Sequence, residues 1–290
     1  MNKFPLVSVI MNCYNGEKFL SSSIESILNQ SYKKWEVIFL DNNSKDKSEK
    51  IFKSYNDKRL KYFKSSKKIN LYAARNLALK RTKGKLITFL DVDDLWDREK
   101  LKRQIKKMTQ ENTSFLYSNY YILHNNKKKI AFKKNLPSGY ISKRLFEYYF
   151  IGILTVMFKK DLLKKYKLSF NGTYKIIGDF DLFTRMSVKT SFTYLDKPVA
   201  TYRKHGQNFS RKNTQLYIKE LSHWYKKNKK KYSKHNFQKF LLEIKNLEIK
   251  SDIFNNKYTS AFKKFNKFPL SMQKIKLFLL FFLSKKNFSF

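Results

Sequence analysis

The chain has 290 residues, of which 42% are hydrophobic and 17% aromatic, a composition typical of a folded protein and not of a disordered one. Its one cysteine, Cys13, excludes a disulfide framework and a cysteine-based zinc site. Only nine of the 63 basic residues behind the net charge of +41 are arginine, which disfavours sequence-specific nucleic-acid binding. No secretory signal is readable, and no apolar run reaches the roughly 20 residues that cross a bilayer, so we expect a cytoplasmic protein.

Residues 6–90 alternate between apolar strands and amphipathic helices. We predict strands at 6–11, 35–40, 60–63 and 85–90, and helices at 18–30, around Ile51 and Phe52, and at 73–80. We expect Ser44 or Asp46 to cap the second helix. Strands separated by helices pair in parallel through right-handed crossovers. The predicted fold is therefore α/β, with a mostly parallel, Rossmann-like sheet flanked by helices.

An acidic cluster follows the fourth predicted strand, where the apolar run 86–90 leads into Asp91, Asp93 and Asp94. A packed core does not tolerate three carboxylates, so we expect them at the carboxyl edge of the sheet, where α/β proteins bind ligands. Clustered carboxylate oxygens there suggest Mg²⁺ or Mn²⁺ and a phosphate-bearing substrate. The alternative is that Asp93 or Asp94 only caps the helix predicted over 98–108.

Polar turns follow three of the predicted strands, at 12–16, 41–46 and 91–94. In a parallel sheet these turns meet at one edge, an arrangement typical of a nucleotide-binding crevice. Neither G-x-G-x-x-G nor G-x-x-x-x-G-K-[ST] occurs, so the dinucleotide and P-loop types of site lack their phosphate-binding loop. A metal ion would then have to hold the phosphates.

Several motifs occur in a fixed order: Val7-Ser8-Val9-Ile10-Met11-Asn12-Cys13-Tyr14-Asn15, residues 26–32, residues 41–46, Ala74-Arg75-Asn76, Asp91-Val92-Asp93-Asp94, Gly178-Asp179-Phe180-Asp181 and Tyr202-Arg203-Lys204-His205. Together they resemble the family 2 glycosyltransferases, which have the GT-A fold. The resemblance implies an inverting enzyme that depends on Mn²⁺ or Mg²⁺. It would transfer a sugar from a nucleotide-sugar donor to a glycan or lipid-linked acceptor, in bacterial cell-surface polysaccharide synthesis of the O-antigen type.

The resemblance also implies which residues bind the donor nucleotide. Tyr14 would stack on the base, Asn12 and Asn42 would contact base or ribose, and Asp41 is a further candidate for ribose or base. Many members have a second acid in place of Asn42. An amide differs from a carboxylate in charge and in donor capacity, so the identity of the base stays open. Arg75 would approach the diphosphate, where a charge-assisted bond is expected, the alternative being a solvated helix arginine.

For catalysis, the resemblance implies a metal site built from Asp91, Asp93, Asp94 and His205, in which Asp93 also reaches the ribose. His205 has the alternative of an ordinary surface histidine. Asp179 would be the base that takes the proton of the acceptor hydroxyl. The usual pair at that point is Glu-Asp, and Gly178 replaces the Glu. The alternative for Asp179 is the N-cap of an amphipathic helix.

We predict a GT-A domain at 1–210, with a nucleotide-sugar-binding half at 1–98 and an acceptor half at 99–210 that contains a buried strand at 151–160. Residues 211–290 hold 20 Lys and Arg against four Asp and Glu, net +16, and are predicted to form a basic helical extension. The apolar run within 274–286 is predicted either as an interfacial helix on an anionic membrane or as a helix docked on the domain.

Two other function classes share part of this pattern. A haloacid-dehalogenase-type phosphatase also has a strand followed by Asp-x-Asp, but it needs Thr or Val where Leu95 stands. A basic nucleic-acid-binding protein would fit the net charge, but the dominance of lysine and the dispersal of the charge along the chain disfavour it.

Overall fold

The computed structural model describes residues 5–286, except for the side chains of Met272 and of residues 281–286. The chain divides into two compact units. The first contains the chain up to Ser142 together with Phe150–His205, and the second contains Lys143–Tyr149 together with the chain from Gly206 onward. From the sequence we predict a boundary at residue 210, and no sequence pattern indicates that Lys143–Tyr149 belongs with the C-terminal part.

The first unit begins with a regular alternation of strands and helices: β1 (Val7–Cys13), α1 (Glu17–Leu28), β2 (Trp35–Asp41), α2 (Ser48–Lys53), β3 (Leu60–Lys64), α3 (Leu71–Arg81), β4 (Leu86–Phe89), β5 (Leu95–Trp96) and α4 (Lys100–Gln110). It continues with β6 (Phe115–Ser118), β7 (Tyr121–His124), β8 (Lys127–Ile130), a 3-10 turn (Ile153–Thr155), β9 (Met157–Lys159), α6 (Asp161–Lys165), α7 (Gly178–Ser187), β10 (Thr193–Leu195) and β11 (Ala200–Arg203). A short helix, α5 (Ser142–Glu147), falls almost entirely in the second unit.

A seven-stranded sheet forms the centre of the first unit, in the order β10-β6-β9-β4-β1-β2-β3. All neighbouring strands pair in parallel except β9, which is antiparallel to both β4 and β6. Every residue of β1 and β2 is buried, as expected for strands of a parallel sheet covered on both faces. The prediction of an α/β fold with a mostly parallel sheet is confirmed. A smaller sheet has the order β5-β11-β7-β8.

Two local predictions were wrong. The segment 151–160 is not one strand, because Thr155 bonds back to the carbonyl oxygen of Gly152 through both its N–H (2.9 Å) and its hydroxyl (2.7 Å). These bonds close a 3-10 turn, and only the three residues of β9 remain extended. The N-cap position of α2 is Lys47 rather than Ser44 or Asp46, although the Asp46 carboxylate accepts the N–H of Ser48, the first residue of α2 (3.0 Å). The Ser44 hydroxyl instead accepts the N–H of Asn15 (3.0 Å).

The second unit is helical, which confirms the predicted C-terminal extension. Its helices after α5 are α8 (Phe209–Lys212), α9 (Thr214–Asn228), α10 (Gln238–Phe254), α11 (Tyr258–Asn266) and α12 (Met272–Lys286). An aromatic cluster surrounds the buried Trp224, and it includes Phe146 of α5 and Phe240 of α10. No helix within residues 5–286 is long and apolar enough to cross a bilayer.

Helix α12 contains the whole apolar run within 274–286. Leu277 is fully buried in a cluster with Ile249 and Ile253 of α10, so α12 docks on its own unit. Ile275, Phe278 and Leu279 are each about half exposed. The side chains of the rest of the run, from residue 281, lie outside the described residues.

Candidate active site

The turns after β1 and β2 are joined by hydrogen bonds, because β1 and β2 are neighbours in the sheet. Asn42 N donates to the carbonyl oxygen of Cys13 (2.7 Å), and Lys45 N donates to the side chain of Asn15 (2.9 Å). Asn15 and Asn43 have φ values of 53° and 62°, in the left-handed region that asparagine tolerates better than most residues. Both turns therefore form one edge of a crevice at the carboxyl ends of the strands.

Asn12 and Tyr14 lie at this edge in different environments. Asn12 is only 7% exposed, and among the described residues neither polar atom of its amide has a hydrogen-bond partner. Leaving such groups unbonded costs about 1–3 kcal/mol, so the amide marks a place where a polar ligand would be stabilised. Tyr14 is 43% exposed, and the Lys68 Nζ lies 3.6 Å from its ring centroid. Both positions are compatible with the predicted contacts to base and ribose.

Asp41 and Asn42 brace the second turn. The Asp41 carboxylate accepts bonds from Ser44 N (2.8 Å) and from the Tyr62 hydroxyl (2.7 Å). The Asn42 amide pairs with the backbone of Ile69, donating to its carbonyl oxygen (2.8 Å) and accepting from its N–H (2.9 Å). A carboxylate could accept from Ile69 but could not donate to it, which explains the amide at position 42. The predicted nucleotide contacts of both residues stay predictions.

Arg75 is buried beside the acidic cluster. Its guanidinium is bonded to Asp91 Oδ1 at 2.6 Å, and the residue is 2% exposed, so the alternative of a solvated helix arginine is wrong. Burial, the largest single effect, would lower the pKa of Arg75, but Asp91, Tyr72 and Asp179 together outweigh it and raise the pKa. The guanidinium therefore stays charged at the crevice.

Asp93 and His205 are brought together from distant parts of the chain. Asp93 Oδ2 lies 3.0 Å from His205 Nε2, and Phe19 packs against the imidazole with a centroid separation of 4.8 Å. Burial raises the pKa of the Asp93 carboxyl, and the neighbouring charge of Asp91 raises it further. Two like charges held together in this way favour a cation between them.

Asp94 lies behind the other two acids, 2% exposed, and accepts the backbone N–H of Arg203 at 2.9 Å. Burial raises the pKa of its carboxyl well above the usual range, and the charges of Asp93 and Asp91 add to the effect. Helix α4 begins only at Lys100, with Glu99 as its N-cap, so the alternative that Asp93 or Asp94 caps this helix is wrong. A direct metal contact by Asp94 stays a prediction.

The acidic cluster fits a divalent cation that shares its ligands with a substrate. Within residues 5–286, no group of three or more His, Cys, Asp and Glu is placed to hold a metal ion by itself. Mg²⁺ and Mn²⁺ at nucleotide sites need only one or two protein carboxylates, because phosphate oxygens and water complete the shell. The oxygen of Asp93 and the nitrogen of His205 supply donors of the right kind at one point.

Asp179 lies in the first turn of α7. The N-cap of this helix is Ile177, so the alternative that Asp179 is the N-cap is wrong. The Tyr72 hydroxyl lies 3.0 Å from Asp179 Oδ1. Asp179 also acts electrostatically on Arg75, so the structure brings both the predicted base and Asp91 of the acidic cluster near one buried arginine. Tyr72 is not among the site residues predicted from the sequence, and the signal beside it is Gly178 in place of the usual acid.

A parallel α/β sheet, polar turns at its carboxyl edge and an acidic cluster beside a buried arginine are typical of α/β proteins with a ligand site at the end of the strands. Residues 8–183, more than half of the chain, match the sequence model of glycosyl transferase family 2. The chain belongs to this family.

Relatives in the family include two Escherichia coli proteins, WfgD and WfaP, each named a UDP-Glc:alpha-D-GlcNAc-diphosphoundecaprenol beta-1,3-glucosyltransferase. WfgD is 38% identical over 165 residues, which cover 57% of this chain and 64% of WfgD. WfaP is 41% identical over 117 residues, which cover 40% of this chain and 47% of WfaP. The chain thus spans less than two thirds of the length of these relatives.

Two solved structures share the fold. S. aureus TarS in complex with UDP superposes with a TM-score of 0.58 at 23% identity, covering 74% of this chain and 65% of TarS. The mannosyltransferase PcManGT from Pyrobaculum calidifontis, in complex with GDP-Man and Mn²⁺, gives a TM-score of 0.58 at 16% identity, covering 78% of this chain and 65% of PcManGT. These similarities confirm the GT-A fold.

Proposed function

We propose that this chain is a metal-dependent, inverting glycosyltransferase that moves a sugar from a nucleotide-diphosphate donor to a hydroxyl of a glycan or lipid-linked acceptor. The observation that carries the proposal is the acidic pair Asp91 and Asp93 between buried Arg75 and His205, at the carboxyl edge of β4. Acids that favour a cation, next to a fixed guanidinium, are complementary to a metal-bound diphosphate.

The donor nucleotide would bind against the turns after β1 and β2. The unbonded amide of Asn12 would pair with a polar group of the nucleotide, and the exposed ring of Tyr14 would stack on the base. Asp41 would contribute through the lone pairs that its bonds to Ser44 and Tyr62 leave able to accept another donor. The Asn42 amide oxygen already accepts from Ile69 N and Ser65 Oγ, so Asn42 would contribute by shaping the turn against which the nucleotide lies. Arg75 would bond a phosphate oxygen in place of, or together with, Asp91.

The metal ion would be held by Asp93 with His205, with Asp91 and Asp94 as the further acids of the site. When bound, the cation would offset the charge that builds up on the departing nucleotide diphosphate. Asp93 would reach the ribose as well. The partner of Asp93 is the imidazole of His205, which can give up a proton as a lysine or arginine cannot. Asp93 can therefore exchange this contact for a metal ion without leaving a buried cation unpaired.

Asp179 would be the base. It would take the proton of the acceptor hydroxyl while the acceptor oxygen forms its bond to the anomeric carbon and the bond from that carbon to the diphosphate oxygen breaks. The proton remains on Asp179, and the electron pair leaves with the nucleotide. Attack from the side opposite the leaving group inverts the anomeric centre.

The names of WfgD and WfaP suggest the substrate class. Both act on UDP-glucose and on a diphosphate-linked GlcNAc lipid. We therefore take UDP-glucose as the first donor to test, and a lipid-linked sugar diphosphate in cell-surface polysaccharide synthesis, of the O-antigen type, as the acceptor class. Such an acceptor would be met at a membrane surface, where the basic second unit would provide peripheral contact at the cytoplasmic face.

Donor binding with and without metal tests the proposal. We expect UDP-glucose with Mn²⁺ to raise the melting temperature, because a ligand of the native state stabilises it by about 2.7 kcal/mol at a hundredfold excess over its Kd. Sugars linked to GDP, dTDP and CMP serve as competitors, and EDTA should reduce the shift. Asp93→Asn should lose the Mn²⁺-dependent part, whereas Asp161→Asn, in the exposed first turn of α6, should retain it. Absence of a shift with every donor would refute the proposal.

A further inference from the structure

Tyr72 occupies the space beside the start of α7 that a side chain at position 178 would need. A Cβ built on Gly178 would lie 2.5–2.6 Å from three carbons of the Tyr72 ring, closer than real contacts allow. The ring cannot easily move aside, because Tyr72 is buried and stacks on Phe170 with a centroid separation of 5.4 Å. The glycine and the tyrosine are therefore packed as a pair.

This packing sets the Tyr72 hydroxyl between two acceptors. The oxygen lies 2.5 Å from the carbonyl oxygen of Ile176 and 3.0 Å from Asp179 Oδ1. Burial raises the pKa of Tyr72 well above its usual value, and the charge of Asp179 raises it further. The hydroxyl therefore keeps its proton, and one proton serves two acceptors.

We propose that Tyr72 is a positioning residue for Asp179 and holds its carboxyl group in one orientation before and after proton transfer. While Asp179 is ionised, the hydroxyl donates to Oδ1. Once Asp179 has taken the acceptor's proton on its other oxygen, Oδ1 is a carbonyl-type oxygen that still accepts from the Tyr72 hydroxyl. The contact with Tyr72 is thus kept in both states without a change of rotamer. The inference rests on the proposed role of Asp179 as base.

Helix α3 would also set the spacing between base and donor. Tyr72 and Arg75 are three residues apart on α3 and so lie on the same face, with the guanidinium carbon 5.3 Å from the Tyr72 ring centroid. Arg75 contacts Asp91 on one side, and Tyr72 contacts Asp179 on the other. One turn of helix thus connects the proposed diphosphate site to the proposed base.

The test is Tyr72→Phe, which keeps the ring that packs on Gly178 and Phe170. Tyr117→Phe is the matched control, because Tyr117 is equally buried and its hydroxyl also donates to a backbone carbonyl, that of Pro137. The assay measures release of UDP from UDP-glucose with Mn²⁺ and a short-chain alkyl GlcNAc diphosphate, and calorimetry measures donor affinity. We expect Tyr72→Phe to lower kcat by about tenfold to a hundredfold, with donor Kd changed less than about twofold.

The control should lose comparable thermal stability but keep its kcat. Equal kcat values for Tyr72→Phe and Tyr117→Phe would overturn the inference, and so would a loss of donor affinity that accounts for the whole effect of Tyr72→Phe. Asp179→Asn separates this failure from that of the proposed function. If Asp179→Asn keeps full turnover, the base assignment itself is wrong. If it loses turnover while Tyr72→Phe does not, only the positioning role of Tyr72 fails.

Discussion

At the scale of single residues, Asp41 and Asn42 of the crevice form hydrogen bonds within the protein that hold its turns in place. Asp41 is hydrogen-bonded to Ser44 and Tyr62, and Asn42 to Ile69, so the turns are fixed before a ligand binds. Asn12 differs, because its buried amide bonds to nothing among the described residues. Fixed turns with one unbonded amide are pre-organised for a ligand, because binding then costs little conformational entropy.

Gly178 is the residue whose replacement the packing opposes most directly. Gly178→Ala would gain about 1 kcal/mol or less from the higher helix propensity of alanine. The new Cβ would overlap the Tyr72 ring, and such overpacking costs about 1–3 kcal/mol. We therefore expect Gly178→Ala to lower the free energy of unfolding in urea.

Gly172→Ala is the matched control for this prediction. A Cβ at position 172 would meet the Cβ of Ala73 at 3.6 Å, an ordinary contact, and we expect a change within about 0.5 kcal/mol. If Gly178→Ala were as stable as Gly172→Ala, the Tyr72 ring would have to shift at no cost. The orientation proposed for its hydroxyl would then be unsupported.

The sequence was informative about which polar residues gather at the crevice and uninformative about how they are held. Asp91 and Asp93 stand out because carboxylates follow an apolar strand directly. The contact between Tyr72 and Asp179 spans 107 residues of sequence, and no local pattern predicts it. Gly178 was noticed as a departure from the family, but its cause, the Tyr72 ring, became visible only in three dimensions.

At the scale of whole elements, the same contrast holds. Strands β1 and β2 were predictable because they are buried on both faces and so are mostly apolar, with Ser8 and Glu36 as the polar exceptions before their carboxyl ends. The segment 151–160 is equally apolar, but a buried 3-10 turn and a buried strand give the same apolar run. Antiparallel β9 between β4 and β6 was not predictable, since strand direction in a sheet depends on the path of the chain.

Helix α4 carries a buried lysine, Lys100, whose pKa links the stability of the protein to pH. Lys100 is fully buried, and its Nζ donates to Thr88 Oγ1 (2.9 Å) and Gln104 Oε1 (2.8 Å) and lies 4.0 Å from the centroid of the Trp96 ring. Burial lowers the pKa of Lys100 well below 10.5. The unfolded chain therefore binds a proton that the folded protein binds less readily, and stability must rise with pH between the two pKa values.

Lys100→Met should remove this pH dependence. Between the folded pKa of Lys100 and about pH 10.5, wild type should gain up to about 1.4 kcal/mol per pH unit relative to the variant. Urea unfolding at several pH values from 7 to about 10.5 measures the difference. Lys102→Met, on the same helix but with an exposed side chain, should leave the slope unchanged. Parallel curves for Lys100→Met and wild type would show that Lys100 titrates as it does in the unfolded chain.

At the scale of the whole molecule, the family match covers most of the first unit and none of the long C-terminal part of the second unit. The match ends at residue 183, whereas the second unit begins its long C-terminal part at Gly206. The helices α8 to α12 are therefore outside what the family explains, and their role has to be argued from their own surface. Residues 211–290 carry 20 Lys and Arg against four Asp and Glu. This surface is suited to an anionic partner.

The exposed apolar side chains of the second unit are compatible with the proposal that this partner is an anionic bilayer. Ile275, Phe278 and Leu279 share one face of α12 by their spacing, and Leu270 just before it is 91% exposed. Lysines flank them, and each contributes about 1 kcal/mol near an anionic surface. We expect the protein to float with phosphatidylglycerol-containing vesicles and not with pure phosphatidylcholine.

Phe278→Ser with Leu270→Ser should abolish most of this flotation, because it removes the apolar contacts that a charged surface alone does not replace. Raising NaCl from about 0.1 to about 0.5 M should weaken the remaining binding about tenfold or more, since the shorter Debye length screens the lysines. Tyr140→Ser removes an aromatic side chain of the first unit that is 76% exposed, and should leave flotation unchanged. Equal flotation of all variants at both salt concentrations would contradict contact through α12, and a lipid-linked acceptor would then have to be reached by another surface.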